Sequence, residues 1–248
     1  MSAADRIQGS RRHREPNVHR GTASKLEPAP DLDIDEGTLA RRQRRLRNRW
    51  EYGSMKPKSK ITLSPNKHDW HPSPLPGQVV LVTTLDERGQ PNVATKSWIS
   101  MVAFGPPPVV LFGCNEDHAT ARNVRAMGKF VINIPGIELA ETCWALGSDS
   151  SVQGPERLQK YGITTMSSEK VKPPRLLECR AHLECELDGM RSWGKELAIF
   201  GRIVAASLDA ELMEGSELAR YSTMTPFFFL ENGWAAPLGP AQQVQPPV

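Results

Sequence analysis

The feature that most constrains the fold is a series of apolar segments separated by short turns. We predict strands at 78–85, 93–104 and 108–114, with the polar turn 86–92 after the first and three prolines, residues 106–108, before the third. Parallel neighbours need a crossover of about a dozen residues, so strands joined this closely must pair antiparallel. The pattern therefore predicts a mainly β fold.

Helices interrupt this strand pattern in two places. The first is predicted at 119–128, where Gly128 ends it, and a strand follows at 129–134. Two more helices are predicted at 138–146 and 155–161. The remaining strands are predicted at 181–187, 197–208 and 226–230. Six or so strands with inserted helices predict a closed or half-closed barrel.

Charge and composition divide the chain into a body and two tails. The first 60 residues carry 15 Lys and Arg against 8 Asp and Glu, whereas the rest carries 16 against 20. We predict a basic, disordered tail at 1–67 with one helical candidate at 36–52. The folded body is predicted at 68–235 and a proline-rich disordered tail at 236–248. The body is long enough for one sizeable core.

The basic tail raises the hypothesis of a nucleic-acid-binding arm, because six arginines lie within nine residues. These are Arg41, Arg42, Arg44, Arg45, Arg47 and Arg49. We favour a solvated, partly helical arm instead, so nucleic acid is not the partner we expect. No apolar run of about 18 residues is present, and the N-terminus lacks an apolar signal core, so we expect neither a membrane span nor a secretory signal.

The cysteines and common motifs exclude several classes of site. The four cysteines form no C-x-x-C pair, which favours reduced core thiols and a cytoplasmic location. Cys114 and His118 stand four apart, but no second close pair completes four ligands, so we predict no metal. Rossmann, P-loop, zincin and α/β-hydrolase signatures are missing. Ser97 and Ser100 have no histidine or aspartate at a recognisable offset, so no nucleophile is predicted.

Neutral polar side chains gather between residues 83 and 123, at strand ends and at a helix start. Such groups suit a polar, planar ligand that bears a phosphate. Thr120 falls in the first helical turn, where free N–H groups and the helix dipole attract phosphate. Lys96 or Arg122 could supply the counter-charge to a phosphate. Asp117 counts against a phosphate here, because an anion at the N-cap of the helix repels it. The alternative is that these groups only cap the helix and decorate strands.

Six short motifs in this region occur in a characteristic order. They are Val82-Thr83-Thr84, Asp86…Gly89…Asn92, Ser97-Trp98-Ile99-Ser100, Pro107-Pro108, Thr120…Asn123 and Phe130-Val131-Ile132-Asn133. The ordered set resembles the flavin reductase-like, FMN-binding split-barrel family. The resemblance implies an antiparallel split barrel, usually a homodimer, with FMN near the subunit interface.

The resemblance also implies a set of cofactor-binding residues and leaves the catalytic residues unassigned. FMN is the implied cofactor, with FAD as an alternative. The implied contacts are Thr83, Thr84, Ala94, Thr95, Lys96, Ser97, Ser100, Thr120, Arg122 and Asn123. Thr120 and Asn123 are expected at the phosphate, and Thr83 and Thr84 beneath the ring. Backbone N–H groups of 94–97 are expected at the pyrimidine side.

The implied activity is NAD(P)H-dependent flavin reduction, with electrons passed to free flavin, a partner monooxygenase or another acceptor. Many NAD(P)H-using members carry Gly-Asp-His before a strand containing G-x-V, and that histidine approaches the nicotinamide. Here Gly194-Lys195-Glu196 precedes Gly201-Arg202-Ile203, so the histidine is absent. This departure favours a flavoredoxin-like electron carrier as the first alternative. The second alternative is a non-catalytic binding barrel with a nucleic-acid-binding arm.

Overall fold

The computed structural model describes residues 59–64, 75–230 and 232–239. The predicted helix at 36–52 and its arginines lie outside the described residues, as does most of the predicted C-terminal tail. The chain divides into Met1–Ile61 and Thr62–Val248, and every element below belongs to the second unit. None of the helices described is both long and apolar enough to cross a membrane.

The described part of the second unit contains twelve strands and four α-helices. The strands are β1 Gly77–Gln78, β2 Val80–Leu85, β3 Pro91–Lys96, β4 Ile99–Ala103, β5 Val109–Asn115, β6 Lys129–Ile134, β7 Thr165–Met166, β8 Arg175–Leu176, β9 Ala181–Trp193, β10 Glu196–Leu208, β11 Phe227–Phe229 and β12 Ala235–Pro237. The helices are α1 Ala119–Met127, α2 Ala140–Ser148, α3 Gly154–Lys160 and α4 Glu217–Met224. Short 3₁₀ turns lie at Ile137–Leu139 and Ala210–Met213.

The central sheet has seven strands in the order β3-β2-β6-β9-β10-β5-β4, and every neighbouring pair is antiparallel. Its two edge strands, β3 and β4, are consecutive in the chain and are separated only by Ser97 and Trp98. The two edges must therefore approach each other at this corner, which curls the sheet into an open barrel. The predicted antiparallel split barrel is confirmed.

The corner at Ser97 and Trp98 corrects the prediction of one strand at 93–104. The backbone N–H of Gly113 on β5 donates to the Trp98 carbonyl at 2.7 Å. A Cβ on Gly113 would lie 2.9 Å from Cε3 of Trp98, so only glycine lets the indole pack this closely. The packing of one strand on another, which the local pattern does not encode, therefore bends the chain into two strands.

Strand β2 is buried on both faces, which explains its continuous apolar sequence. Val80 and Val82 face the barrel interior, whereas Val79 and Leu81 face a second core. The interior core also contains Val110, Phe112, Phe130, Ile132 and Ile199. The second core also contains Cys143 and Leu146 from α2, Leu158 from α3, and Phe227. This second core fixes α2 and α3 against the outside of the barrel, where they border the site described below.

The four cysteines are free and buried, as predicted. Burial raises the pKa of Cys143 to about 12, so its thiol stays neutral. Helix α1 ends where predicted, because Gly128 adopts a φ of 65°. Strand β9 runs six residues further than predicted, to Trp193, and forms a long hairpin with β10 through Gly194. Its outer half is largely polar and exposed, so its sequence lacks a strand-like apolar face.

Candidate ligand-binding groove

Two adjoining cavities lie along the outer side of β3, next to the start of α1. The first has a volume of about 290 Å³ and is lined by residues 92–96 of β3, 117–120 at the start of α1, and parts of 146–157. The second has a volume of about 520 Å³ and extends towards β5 and the β9–β10 hairpin. Both are lined by Thr95, Lys96, His118 and Gly147, so they form one continuous groove.

Thr120 places a buried hydroxyl on the wall of the first cavity. The residue is 1% exposed, and its Oγ1 has no hydrogen-bond partner among the described residues. It follows Ala119 at the start of α1, where an α-helix leaves its first N–H groups without intrahelical partners. A buried hydroxyl without a partner is unfavourable, and a ligand oxygen bound here would satisfy it. The helix dipole at the same place favours a negatively charged ligand.

Two buried cations border the same cavity. Lys96 is 8% exposed, and its Nζ lies 3.4 Å from Nδ1 of His118. Arg157 is 6% exposed, and its guanidinium donates to the carbonyls of Leu146, Asp149 and Val152. Those carbonyls are neutral, so they do not cancel the positive charge of Arg157. Its Nε has no partner among the described residues.

The two carboxylates of the first cavity are each held by a lysine outside its lining. Asp117 Oδ2 accepts from Lys195 Nζ at 2.8 Å, which holds the pKa of that carboxyl below its usual value. Asp149 Oδ2 accepts from Lys160 Nζ at 2.7 Å and from Tyr161, and its pKa is lowered as well. The N-cap of α1 is His118 and not Asp117. The repulsion of an anion expected from Asp117 is therefore offset.

The second cavity combines aromatic side chains with backbone groups. It is lined by Trp98, Trp144 and Phe229, and the Trp144 and Phe229 rings meet edge to face at 5.5 Å. Among the described strands, β3 lies at the edge of the sheet and pairs with β2 alone, so its other side presents backbone groups to the groove. A flat aromatic ligand with polar atoms at one edge matches this lining.

Five of the ten sequence-predicted site residues line the groove. They are Ala94, Thr95, Lys96, Ser97 and Thr120. The hydroxyl of Thr95 donates to the Cys143 carbonyl at 2.7 Å, which ties β3 to α2. These five side chains come from one strand edge and the helix start facing it, which is why the fold brings them together.

The other five predicted residues lie away from the cavity walls. Thr83 and Thr84 are fully buried, and Thr83 donates to the Pro174 carbonyl. Asn123 donates from Nδ2 to Oγ1 of Thr84 at 2.9 Å and so fixes α1 against β2. Ser100 lies on β4 and donates to the Met101 carbonyl, whereas the exposed Arg122 donates to the carbonyl of Asp117. Thr84 and Asn123 thus support the groove indirectly, by holding α1 in place.

Sequence reasoning did not predict the roles of several lining residues. Arg157 reads locally as a surface residue of a short helix, and only the contact of α3 with β3 brings it to the groove. Trp144 and Phe229 are likewise far along the chain from β3, so the local sequence did not indicate that they line the groove. Glu196 is different, because its position was noted from the motif, and the structure places it on the second cavity. Among the described residues, no three His, Cys, Asp or Glu side chains are arranged to hold a metal ion.

Comparisons with known proteins agree with this architecture. The family model described as "Flavin reductase like domain" matches residues 73–224. The uncharacterized protein YddH of Escherichia coli is 32% identical over 139 residues, which are 55% of this chain and 72% of that protein. Among solved structures, nitrilotriacetate monooxygenase component B from Bacillus cereus has a TM-score of 0.66 at 20% identity, covering 75% of this chain and 100% of that one. Flavoredoxin of Desulfovibrio vulgaris has a TM-score of 0.62 at 20% identity, covering 75% and 96%.

Proposed function

The chain belongs to the flavin reductase-like family, and we propose that it is an FMN-binding oxidoreductase that reduces flavin with NAD(P)H. Electrons then pass to free flavin or to a partner monooxygenase. The observation that carries the proposal is the buried Thr120 hydroxyl, which has no hydrogen-bond partner in the described part of the chain and lies on a cavity wall that also holds Lys96 and Arg157. Family membership supports flavin as the ligand, and the groove supports its orientation.

The first cavity fits the phosphate of FMN. A phosphate monoester carries close to two negative charges at neutral pH. Lys96 and Arg157 supply two positive charges, and the Thr120 hydroxyl and the first N–H groups of α1 supply donors. Each charge-assisted hydrogen bond contributes about 1.5–3 kcal/mol. One cation-rich cavity matches a flavin with one terminal phosphate, which favours FMN over FAD.

The second cavity fits the isoalloxazine ring. Trp98, Trp144 and Phe229 provide apolar walls, and the backbone of β3 lies along one edge. Together the two cavities fall in the roughly 300–1,000 Å³ range of small-molecule sites. When bound, the flavin supplies the capacity to accept a hydride and release electrons. The protein orients it and stabilises negative charge at the pyrimidine edge through fixed backbone dipoles.

A second copy of the chain is proposed to complete the assembly. Strand β4 is a sheet edge. Its residues Met101 and Val102 are exposed, and so is Phe104 directly after it, to 88%. An exposed apolar edge strand is a surface that natural proteins normally cover. Because β4 starts at the Ser97–Trp98 corner, a partner on this edge would sit beside the second cavity. This geometry favours a homodimer with the flavin close to its interface.

A flavoredoxin-like electron carrier is the second candidate. Glu196 stands where NAD(P)H-using relatives are expected to carry histidine, and it lines the second cavity. The family resemblance and the flavoredoxin fold are common to both candidates. They differ in the source of electrons, which is NAD(P)H for the reductase and a partner protein for the carrier.

Anaerobic reduction of the FMN-loaded protein tests the reductase proposal. Addition of NADH or NADPH in slight excess should bleach the visible absorbance of the flavin at least as fast as the enzyme turns over. Photoreduction of the same sample shows that the bound flavin is redox-active. If photoreduction succeeds while neither nicotinamide nucleotide reduces the flavin, the electron carrier replaces the reductase.

A further inference from the structure

Glu196 places a carboxylate at the position where NAD(P)H-using relatives are expected to carry a histidine. It opens β10 directly after the hairpin turn at Gly194, opposite Asn115 of β5, and lines the second cavity. Its Oε1 accepts from Asn115 Nδ2 at 3.4 Å. Within the described residues it forms no ion pair, whereas Asp117 and Asp149 of the first cavity each bind a lysine. Glu196 therefore brings to the wall of the groove a carboxylate that has no ion-pair partner among the described residues.

The groove is consequently polarised along its length. Arg157 lines the first cavity, Lys96 lines both cavities, and Glu196 brings a carboxylate to the second cavity only. His118 lies between them on the shared wall. Burial lowers the pKa of His118 and Lys96 lowers it further, whereas Glu196 acts in the opposite direction. The field of Glu196 thus reaches the residues around the predicted ring site.

We propose that Glu196 selects the second substrate by charge, so that the cavity beside the flavin ring accepts neutral or cationic reacting groups of electron donors and acceptors and disfavours anionic ones. The inference rests on the proposed function, because it assumes that the flavin ring occupies the second cavity. An imidazole at this place would be neutral or positive, so a carboxylate introduces a negative charge that a histidine would not have. Nicotinamide satisfies the rule, since its carboxamide N–H₂ donates to a carboxylate and its oxidised ring is cationic. A carboxylated aromatic acceptor violates it.

Outer-sphere oxidants of opposite charge test the rule without a nicotinamide nucleotide. The FMN-loaded protein is photoreduced under nitrogen and mixed at low ionic strength with ferricyanide, a trianion, or with hexaammineruthenium(III), a trication. Each reduced flavin gives one electron to each of two oxidant ions and releases its protons to water. The ratio of the two rates reports the charge beside the ring, and overall flavin reactivity cancels from it.

Glu196→Gln removes the charge and retains an amide oxygen that can still accept from Asn115. We expect this variant to reduce ferricyanide roughly three- to tenfold faster than the wild type, and hexaammineruthenium(III) more slowly by a similar factor. Glu196→Lys should shift the ratio further in the same direction. Raising the ionic strength to about 0.5 M should make the rate ratios of the variants and the wild type nearly equal, because salt screens exposed charges. Glu214→Gln is the matched control, since Glu214 is an exposed carboxylate outside the lining of the groove.

The outcomes separate the inference from the proposed function. A rate ratio that is unchanged in Glu196→Gln and Glu196→Lys, or that Glu214→Gln shifts equally, overturns the charge rule and leaves flavin binding intact. Failure of the wild-type protein to bind FMN overturns both. A shift confined to the Glu196 variants supports the rule.

Discussion

Replacing Thr120 with valine should stabilise the flavin-free protein and weaken FMN binding. Valine keeps the branched shape and removes the hydroxyl that has no partner among the described residues. A buried polar group left unsatisfied costs about 1–3 kcal/mol, so its removal should raise the unfolding free energy of the flavin-free protein by about that amount. Helix propensity contributes little, because valine and threonine are similar.

The effect on binding has the opposite sign. A hydrogen bond to a charged phosphate contributes about 1.5–3 kcal/mol, so its loss should weaken FMN binding roughly ten- to a hundredfold. Riboflavin has no phosphate, so its affinity should be nearly the same in both proteins. The variant therefore separates the phosphate contact from ring binding. Thr120→Ser, which keeps a hydroxyl, is the matched control and should retain FMN affinity.

Thermal unfolding with and without ligand measures both effects in one experiment. For a domain of this size, each kcal/mol shifts Tm by about 2–4 °C. Without ligand, Thr120→Val should melt above the wild type. At an FMN concentration of about 100 times the wild-type Kd, the wild type gains about 2.7 kcal/mol, and a variant that binds tenfold more weakly gains roughly half of that.

A single pattern would refute this reasoning about Thr120. If the variant melts below the wild type without ligand and its FMN-to-riboflavin affinity ratio is unchanged, the hydroxyl neither lacks a partner in solution nor meets the phosphate. Phosphate binding would then have to be assigned to another part of the groove.

Three further changes probe other parts of the molecule. Arg157→Lys should lower the unfolding free energy by about 2–4 kcal/mol, because lysine cannot span the three carbonyls that the guanidinium binds, and chemical denaturation measures this loss. For Glu184, burial raises the pKa, but three backbone N–H donors and Arg175 outweigh it and bring the pKa below the usual 4.5. Its stabilisation is therefore complete above that pH and is lost as the pH falls further, so Glu184→Gln should be less stable at pH 7 and lose less stability on acidification. Phe104→Glu should convert a dimer to a monomer in sedimentation experiments, and an unchanged mass would exclude the β4 edge as the interface.

The sequence predicted the fold well where local information decides the structure. Turns too short for crossovers forced antiparallel pairing, and Gly128 marked the end of α1. It could not predict the break at Ser97 and Trp98, because that corner depends on the contact between Trp98 and Gly113 of another strand. The outer half of β9 was missed because it is held by pairing with β10 rather than by an apolar face.

The site was predictable to the extent that it lies on consecutive residues. Residues 94–97 and Thr120 reach the groove because one strand edge faces one helix start. Thr84 and Asn123 belong to the same motifs, but they bond to each other and hold α1 in place. Arg157 could not be predicted, because its place on the cavity depends on α3 packing against β3, about sixty residues away in sequence. Trp144 and Phe229 depend on other long-range contacts, those of α2 with β3 and of the two rings with each other.

Titration of the flavin-free protein with FMN and with riboflavin tests the central claim most directly. The groove predicts that FMN quenches or shifts the flavin signal with micromolar or lower Kd. Riboflavin should bind more than about a hundredfold more weakly, because it lacks every phosphate contact and not only the one that Thr120→Val removes. Absence of FMN binding at about 100 µM would contradict the claim. Equal affinity for the two flavins would contradict the phosphate site formed by Thr120, Lys96 and Arg157.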